Sequence, residues 1–189
     1  LLSEQITGLG NEAVTLNDTS LAEAVLSNLD GLNSATIDAS TVTTLTGLSY
    51  KLDDLYASDG ITGLGNEAMT VTESESYASD ILALDALTTG LITVSTSEVG
   101  ATVAQAAALY ATSGITGLSA TTLRLFDDSV AASALNALNG LNTGTIDALN
   151  VMTLTGSAAD VTASYNASGI NNLGNEAVTL DDTSLAATA

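Results

Sequence analysis

The amino-acid sequence predicts an α/β fold of a repetitive kind, a solenoid in which parallel β-strands alternate with short helices over about seven turns. A phrase recurs, since ITGLGNEAVTL at positions 6–16 returns in altered form three times. An isoleucine opens every segment of the chain, at Ile6, Ile37, Ile61, Ile92, Ile115, Ile146 and Ile170. Long segments such as 6–36 alternate with short segments such as 37–60, and the last segment, 170–189, is truncated. One long and one short unit therefore form a double repeat with a period of 54–55 residues.

The long unit begins with a strand pattern and continues with a helix pattern. In AVTL at 13–16, Val14 and Leu16 alternate with a threonine, as in a half-buried strand. The following segment predicts an amphipathic helix of about three turns, capped by Asp18, Thr19 or Ser20. Ser20 and Glu23 match a capping box. The predicted apolar stripe consists of Leu21, Val25, Leu29 and Leu32.

The short unit follows the same order. ATIDA and VTTLTG are strand-like, and LSYKLDDLYASDG carries Leu48, Leu52 and Leu55 at helical spacing. Glycines end this pattern at Gly60, Gly114 and Gly169, which predicts helix C-caps. Each unit is therefore expected to form one turn that buries its apolar face only against its neighbours.

Parallel strands in neighbouring turns lie about 4.8 Å apart, whereas packed helices need about 8–10 Å. Strands and helices therefore cannot both stack in straight register. Either the array curves with its helices outside, or the helices of long and short units are staggered or placed on different sides. The sequence leaves both arrangements open.

Composition excludes several classes of partner and site. The chain has 22 acidic and two basic residues, a net charge of −20, which repels nucleic acid and anionic membranes. It contains no cysteine, so disulfides and thiolate metal sites are excluded. We expect no membrane insertion, because the longest uncharged stretch, positions 99–123, contains glycine and polar residues. Residues 1–189 are expected to form a single segment of a longer array.

The phrases SGITGLGNEAVTL, IDASTVTTLTG and TGSAADVTASYNASGI resemble the tandem repeats of giant acidic extracellular or cell-surface proteins of marine cyanobacteria and related bacteria. The resemblance covers essentially the whole chain. It implies an extracellular or surface-displayed structural array. No GGxGxDxUx nonapeptide occurs, so a calcium-driven β-roll is not supported.

Residues suited to catalysis are scarce. The phrase GLGNEA partly matches a phosphate-binding glycine loop, but it precedes a strand rather than a helix. The chain has no histidine and no cysteine for acid–base or nucleophilic chemistry. Lys51 aligns with Gln105 and Asp160, and Arg124 aligns with a threonine in each of the other copies, so both are expected to face solvent. We therefore expect no enzymatic activity and no catalytic or cofactor-binding residue.

Carboxylates provide the candidate metal ligands. The weak Ca²⁺ candidates are Asp127, Asp128, Asp181 and Asp182, with Asp53 and Asp54 a further pair. The simpler interpretation is that Asp127 and Asp182 cap helices. Recurring glutamates are expected to form a solvated acidic stripe on one face rather than a glycosidase pair, namely Glu12, Glu67 and Glu176. Recurring tyrosines, Tyr56, Tyr110 and Tyr165, are expected to pack as a stack rather than bind sugar.

Together these features predict a structural spacer or fibre module in a surface layer, adhesin or filament. Its expected partners are neighbouring repeats of the same or identical chains, with surface glycans as a further candidate. No cofactor is expected. The alternative is a Ca²⁺-binding or glycan-binding module of an adhesin or phage tail fibre.

Overall fold

The computed structural model describes residues 10–184, and this part of the chain is α/β with parallel strands, which confirms the predicted class. The helices are α1 (Glu23–Leu32), α2 (Ser49–Tyr56), α3 (Ala78–Asp85), α4 (Val103–Ala111), α5 (Ala132–Leu141) and α6 (Ala158–Asn166). The first eight strands are β1 (Val14–Thr15), β2 (Ser20–Ala22), β3 (Ile37–Asp38), β4 (Thr44–Gly47), β5 (Ile61–Thr62), β6 (Ala68–Val71), β7 (Glu75–Tyr77) and β8 (Ile92–Val94). The others are β9 (Glu98–Ala101), β10 (Ile115–Thr116), β11 (Thr122–Leu125), β12 (Ser129–Ala131), β13 (Ile146–Asp147), β14 (Thr153–Gly156), β15 (Ile170–Asn171) and β16 (Ala177–Leu180).

The strands form four sheets, and every strand pair is parallel. Sheet 1 has the order β1-β3-β5, sheet 2 β10-β8-β6-β4-β2, sheet 3 β15-β13-β11-β9-β7 and sheet 4 β12-β14-β16. Each residue in a strand pairs with a residue 23 or 24 positions further along the chain, as in Leu21↔Leu45 and Leu123↔Ile146. The spacing is the same in all four sheets. The structural step is therefore shorter than either the long unit or the double repeat.

The recurring isoleucines are buried in pairs, and each pair belongs to a different sheet. Ile37 pairs with Ile61 in sheet 1, Ile92 with Ile115 in sheet 2, and Ile146 with Ile170 in sheet 3. In each sheet the ladder continues from the isoleucine pair into other apolar residues: Val14 in sheet 1, Met69 and Leu45 in sheet 2, and Leu123 and Val99 in sheet 3. The predicted isoleucine ladder is thus distributed over three sheets and shared with other apolar residues. Ile6 lies outside the described residues.

The first helix begins later than predicted and has no capping box. Leu21 pairs with Leu45 in sheet 2, so residues 20–22 form a strand, and the N-cap of α1 is Ala22, without a side-chain cap. Because Leu21 is held in the sheet, the buried stripe of α1 includes Glu23 and Leu26 instead of Val25 and Leu32. The latter two side chains are exposed. In α2 the predicted Leu52 and Leu55 are buried, while Leu48 is the N-cap.

The glycines after the short-unit helices are not C-caps. Helices α2, α4 and α6 end with Ala57, Thr112 and Ala167 as their C-cap residues. Each glycine lies against a polar side chain of an earlier helix, and a Cβ would overlap that oxygen: Gly60 against Asp30, Gly114 against Asp85 and Gly169 against Asn139. The recurrence of glycine at these positions therefore reflects a close approach between neighbouring segments.

The helices follow three different sheets in pairs. α1 and α2 follow strands of sheet 2, α3 and α4 follow strands of sheet 3, and α5 and α6 follow strands of sheet 4. A long unit adds a third strand before its helix, as β7 does before α3. Buried apolar side chains from strands and helices form one core cluster. Among the described residues, no helix has both the length and the apolar character needed to span a bilayer.

Candidate functional site

The loops that contain Gly-Asn-Glu are closed by their own glutamate. In each of three copies, the carboxylate accepts hydrogen bonds from the backbone N–H groups of the two preceding residues. For Glu67 the Gly65 nitrogen lies 2.8 Å and the Asn66 nitrogen 3.2 Å from Oε2. The backbone donors that a phosphate would need are therefore used within the loop. In the third copy, where the phrase is GLSATT, the Thr121 hydroxyl donates to the Leu118 carbonyl at 2.8 Å instead.

The three glutamates do not form the predicted acidic stripe. Glu12 precedes β1 in sheet 1, Glu67 precedes β6 in sheet 2, and Glu176 precedes β16 in sheet 4, so they lie beside different sheets. Glu67 is fully buried rather than solvated. The Gly10 N–H lowers the pKa of the Glu12 carboxyl. Burial opposes ionisation of Glu176, but hydrogen bonds from Tyr165 and the Gly174 N–H outweigh it, so its pKa is also lowered.

The recurring tyrosines are partners of these loops. Tyr56 donates to Glu67 Oε2 at 2.5 Å, Tyr165 donates to Glu176, and Tyr110 donates to the Leu118 carbonyl at 3.3 Å. Burial, and then the bond to Glu67, raise the pKa of Tyr56, and burial raises that of Tyr110. The bond to Glu176 raises the pKa of Tyr165 to about 12. The tyrosines therefore connect the end of a helix to the next loop.

Two of the candidate calcium ligands are helix caps, although not of the helices that follow them. Asp127 Oδ2 accepts from the Val103 N–H at 2.8 Å, and Asp182 Oδ2 accepts from the Ala158 N–H at 2.6 Å. Both therefore cap a helix of the preceding segment of the chain. Glu73, at the same repeat position, accepts from the Ser49 N–H at 3.1 Å. Residues 10–184 contain no group of three or more acidic side chains close enough to hold a metal ion.

The two basic residues are both paired with carboxylates. Lys51 lies 2.9 Å from Asp54 on the surface of α2. Arg124 forms ion pairs with Glu98, at 2.6 Å from Nε, and with Glu75. Its guanidinium carbon lies 5.2 Å from the centre of the Phe126 ring. Arg124 is thus part of a local network on sheet 3 instead of an isolated solvent-facing side chain.

This network and two aromatic rings form what we name the sheet-3 patch. The rings of Tyr77 and Phe126 are 6.0 Å apart between centroids and inclined at 39°. They flank Gly100, where a Cβ would overlap the Phe126 ring. Tyr77 is 46% exposed and Phe126 38% exposed, so the apolar surface of both is open to solvent. The sheet-3 patch consists of Glu75, Tyr77, Glu98, Gly100, Arg124 and Phe126.

Every member of the sheet-3 patch differs from the other copies of the repeat. Mostly small or uncharged residues occur at the corresponding positions of the other described copies. Serine or alanine replaces Glu75 and Tyr77 (Ser20 and Ser129, Ala22 and Ala131), and threonine replaces Glu98 and Gly100 (Thr44 and Thr153, Thr46 and Thr155). Thr15, Thr70 and Thr179 correspond to Arg124, and Asn17, Thr72 and Asp181 to Phe126. The segments 75–77, 98–100 and 124–126 lie about one register step apart. The residues in which they differ from the other copies therefore meet along the adjacent strands β7, β9 and β11.

The sheet-3 patch continues into a shallow groove at the start of α2 and α3. Its lining includes Tyr50 and Tyr77, together with the carboxylates of Glu75 and Asp80. Tyr50 is 53% exposed. Glu73, whose carboxylate accepts from Ser49, also lines the groove, so three aromatic side chains and four carboxylates share one continuous surface.

Sequence reasoning identified Arg124 and its departure from threonine but not the residues around it. The strand register is needed to place positions 75–77, 98–100 and 124–126 side by side. Comparison of all copies strand by strand is the signal that would have revealed the patch.

Comparisons with family models, with curated proteins and with solved structures found no match to this chain.

Proposed function

We propose that this chain is a structural repeat module, one segment of a repetitive solenoid that acts as a spacer or fibre in a secreted or surface-displayed bacterial protein. The observation that carries the proposal is the constant parallel register, a step of 23 or 24 positions in all four sheets. A register step that varies by no more than one position along the chain is the property expected of a coil whose turns stack on one another.

The positions of the helices support a continuous coil. One register step beyond Ile61 in sheet 1 leads to Asp85 in α3, and one step beyond Ile115 in sheet 2 leads to Asn139 in α5. One step before Ser76 in sheet 3 leads to Leu52 in α2, which is fully buried. Each face of the coil would therefore change from strands to helices where a sheet ends.

This arrangement favours one of the two solutions to the spacing conflict. Strands about 4.8 Å apart cannot each be followed by a helix on the same face, because helices need about 8–10 Å. Here only two successive turns would place their helices on one face before the extra strand of a long unit moves the next pair to another face. The coil can then remain straight.

The ends of the described part favour partners of the same kind. At one end, Val14, Leu29 and Leu32 line an apolar hollow. At the other end, Val178 and Leu180 in the edge strand β16 are exposed. The same AVTL sequence occurs at both ends, at 13–16 around β1 and at 177–180 in β16. Neighbouring repeats of the same or an identical chain would bury these surfaces.

The charge and the resemblance to repeats of giant marine surface proteins favour an extracellular or cell-surface location. A net charge of −20 would keep neighbouring molecules apart except where their ends meet. The alternative Ca²⁺-binding role has less support, because Asp127 and Asp182 are used as caps. A rise in the melting temperature of several degrees with Ca²⁺ would favour that alternative.

A deletion of one double repeat tests the proposal. Removing residues 61–114 joins Gly60 to Ile115. The new junction is again a glycine followed by an isoleucine, as at Gly60–Ile61 and Gly114–Ile115 in the intact chain. A stacked coil should still fold cooperatively, with a smaller urea m-value in proportion to its length. Removing residues 61–100 is the control, since that deletion breaks the repeat phase. If the in-phase deletion unfolds as completely as the control, the stacked architecture is wrong.

A further inference from the structure

The sheet-3 patch has features that a stacking role does not require. The other copies of the repeat stack with alanine, serine and threonine at its strand positions, so these strands pair without aromatic or charged side chains. Large aromatic side chains are also scarce, with one phenylalanine and five tyrosines in the whole chain. Two of these six rings nevertheless meet at the sheet-3 patch, where both remain exposed.

The geometry of the patch provides an apolar platform. Gly100 lies between Tyr77 and Phe126, and the absence of a side chain allows the rings to approach the backbone of β9. An exposed aromatic surface of this kind buries the C–H face of a flat, partly apolar ligand. A threonine at position 100, as in the other copies, would displace the Phe126 ring.

The edge of the platform provides hydrogen-bonding groups of both kinds. The carboxylates of Glu75 and Glu98 are acceptors, and the Arg124 guanidinium is a donor that they hold in place. Ionised groups form the stronger hydrogen bonds to hydroxyl groups. Asp80 and the Tyr50 ring extend the same combination along the groove.

The charges determine which class of ligand fits. Acidic sugars and nucleic acid are repelled by the net charge of −20. Arg124 binds Oε1 of Glu75 and Oε1 of Glu98 and lies over the Phe126 ring. A cationic partner would therefore have to displace Arg124, whereas a hydroxyl group can use Oε2 of either carboxylate. We propose that the sheet-3 patch is a binding site for neutral pyranose sugars, with the ring stacked on Tyr77 and Phe126 and its hydroxyl groups bound by Glu75, Glu98 and Arg124. This activity is independent of the proposed structural role.

Amide NMR of the full chain with neutral oligosaccharides tests the proposal. The probes are cellohexaose, mannohexaose, xylohexaose and chitohexaose, each titrated separately into ¹⁵N-labelled protein. We expect at least one of them to shift the amide signals of residues 75–77, 98–101 and 124–126 in a saturable manner. A lysine-rich hexapeptide is titrated in parallel as the cationic competitor.

The repeat itself supplies variants that should fold. Tyr77→Ala and Phe126→Thr introduce residues that other copies carry at these positions. Each should raise the Kd for the oligosaccharide about tenfold. Gly100→Thr should have a similar effect by displacing the Phe126 ring. Tyr165→Ala is the matched control, since it removes an exposed aromatic ring from α6, outside the sheet-3 patch. Circular dichroism confirms that each variant is folded.

Three results would overturn the proposal. One is the absence of a saturable shift with all four oligosaccharides. Another is binding that is equally strong in wild type, Tyr77→Ala and Phe126→Thr. The third is binding of the lysine-rich peptide at the sheet-3 patch without binding of any sugar, which would assign the surface to a cationic partner.

Discussion

The Tyr56 hydroxyl donates to the buried Glu67 carboxylate at 2.5 Å and connects the end of α2 to the loop before β6. The same carboxylate closes its own Gly-Asn-Glu loop through two backbone N–H groups. One buried carboxyl group therefore organises a helix end and a loop of the following segment. The equivalent pair near the end of the described residues, Tyr165 and Glu176, is more exposed.

This difference in burial predicts unequal costs of removing the two hydroxyl groups. Tyr56→Phe leaves a buried carboxylate with one donor fewer and should reduce the free energy of unfolding by about 1–3 kcal/mol. Tyr165→Phe should cost less than about 1 kcal/mol, because water can replace the lost donor at Glu176. Urea denaturation of the two variants measures both values. Equal losses would show that the burial of Glu67 has no energetic importance.

Alkaline pH should destabilise the protein through its tyrosines. The pKa of Tyr165 is raised to about 12, whereas an unperturbed tyrosine titrates near 10, at about the value of the unfolded chain. Above that pH the unfolded chain loses its proton while the folded chain keeps it, so stability falls between about pH 10 and 12. Phenolate absorbance should show this late titration. Glu176→Gln should move it toward lower pH, and an unchanged curve would contradict the assignment.

Acid should destabilise the Gly-Asn-Glu loops by the opposite linkage. The pKa values of Glu12 and Glu176 are lowered, so their contribution to stability is present above the ordinary glutamate pKa and is lost as the pH falls through their folded values. The protection factors of the Gly10 and Gly174 amides, which compare hydrogen exchange with that of an unstructured chain at the same pH, should fall over that acidic range. In Glu12→Gln no carboxyl group titrates at this position, so the protection factor of the Gly10 amide should change less over the same acidic range.

Capping between neighbouring segments predicts a different effect for two adjacent aspartates. Asp127→Ala removes the acceptor of the Val103 N–H and should destabilise the protein by about 1 kcal/mol. Asp128→Ala changes an exposed neighbour and should alter stability by less than about 0.5 kcal/mol. The Val103 amide should exchange faster only in the first variant. Faster exchange at residues 129–132 instead would indicate that Asp127 caps the helix that follows it.

A charge in the middle of sheet 2 should unfold several segments together. Ile92 is fully buried between Met69 and Ile115, so Ile92→Asp should cost about 4 kcal/mol or more. Leu91→Asp, at a 48% exposed neighbour, is the control and should cost much less. Native-state hydrogen exchange should reveal the loss of protection in β6, β8 and β10 at once. Protection lost only near residue 92 would contradict stacking through this ladder.

The sequence was most informative where local pattern and tertiary pairing agree. The alternation predicted from AVTL at 13–16 recurs as AMTV in β6 and TLRL in β11, whose apolar side chains are buried while the alternate ones are not. It was misleading at residues 20–22, where a local capping-box pattern competes with the pairing of Leu21 and Leu45. A segment this short has no pattern of its own that could decide the competition.

The candidate site was hidden for a related reason. The double repeat of the sequence is not a whole number of strand steps, because the strands pair at every 23rd or 24th position. Tyr77, Gly100 and Phe126 therefore appear unrelated in an alignment of double repeats, although they are neighbours in sheet 3. The burial of Glu67 was hidden too, because it depends on Tyr56 and the packing of the following segment.

The Gly-Asn-Glu loop has a further consequence for anion binding. A free phosphate would have to displace a carboxylate that belongs to the same loop as the Gly65 N–H. The effective concentration of such a tethered group is on the order of millimolar or higher, so dilute inorganic anions compete poorly with it. The loop thus behaves as a receptor that carries its own ligand.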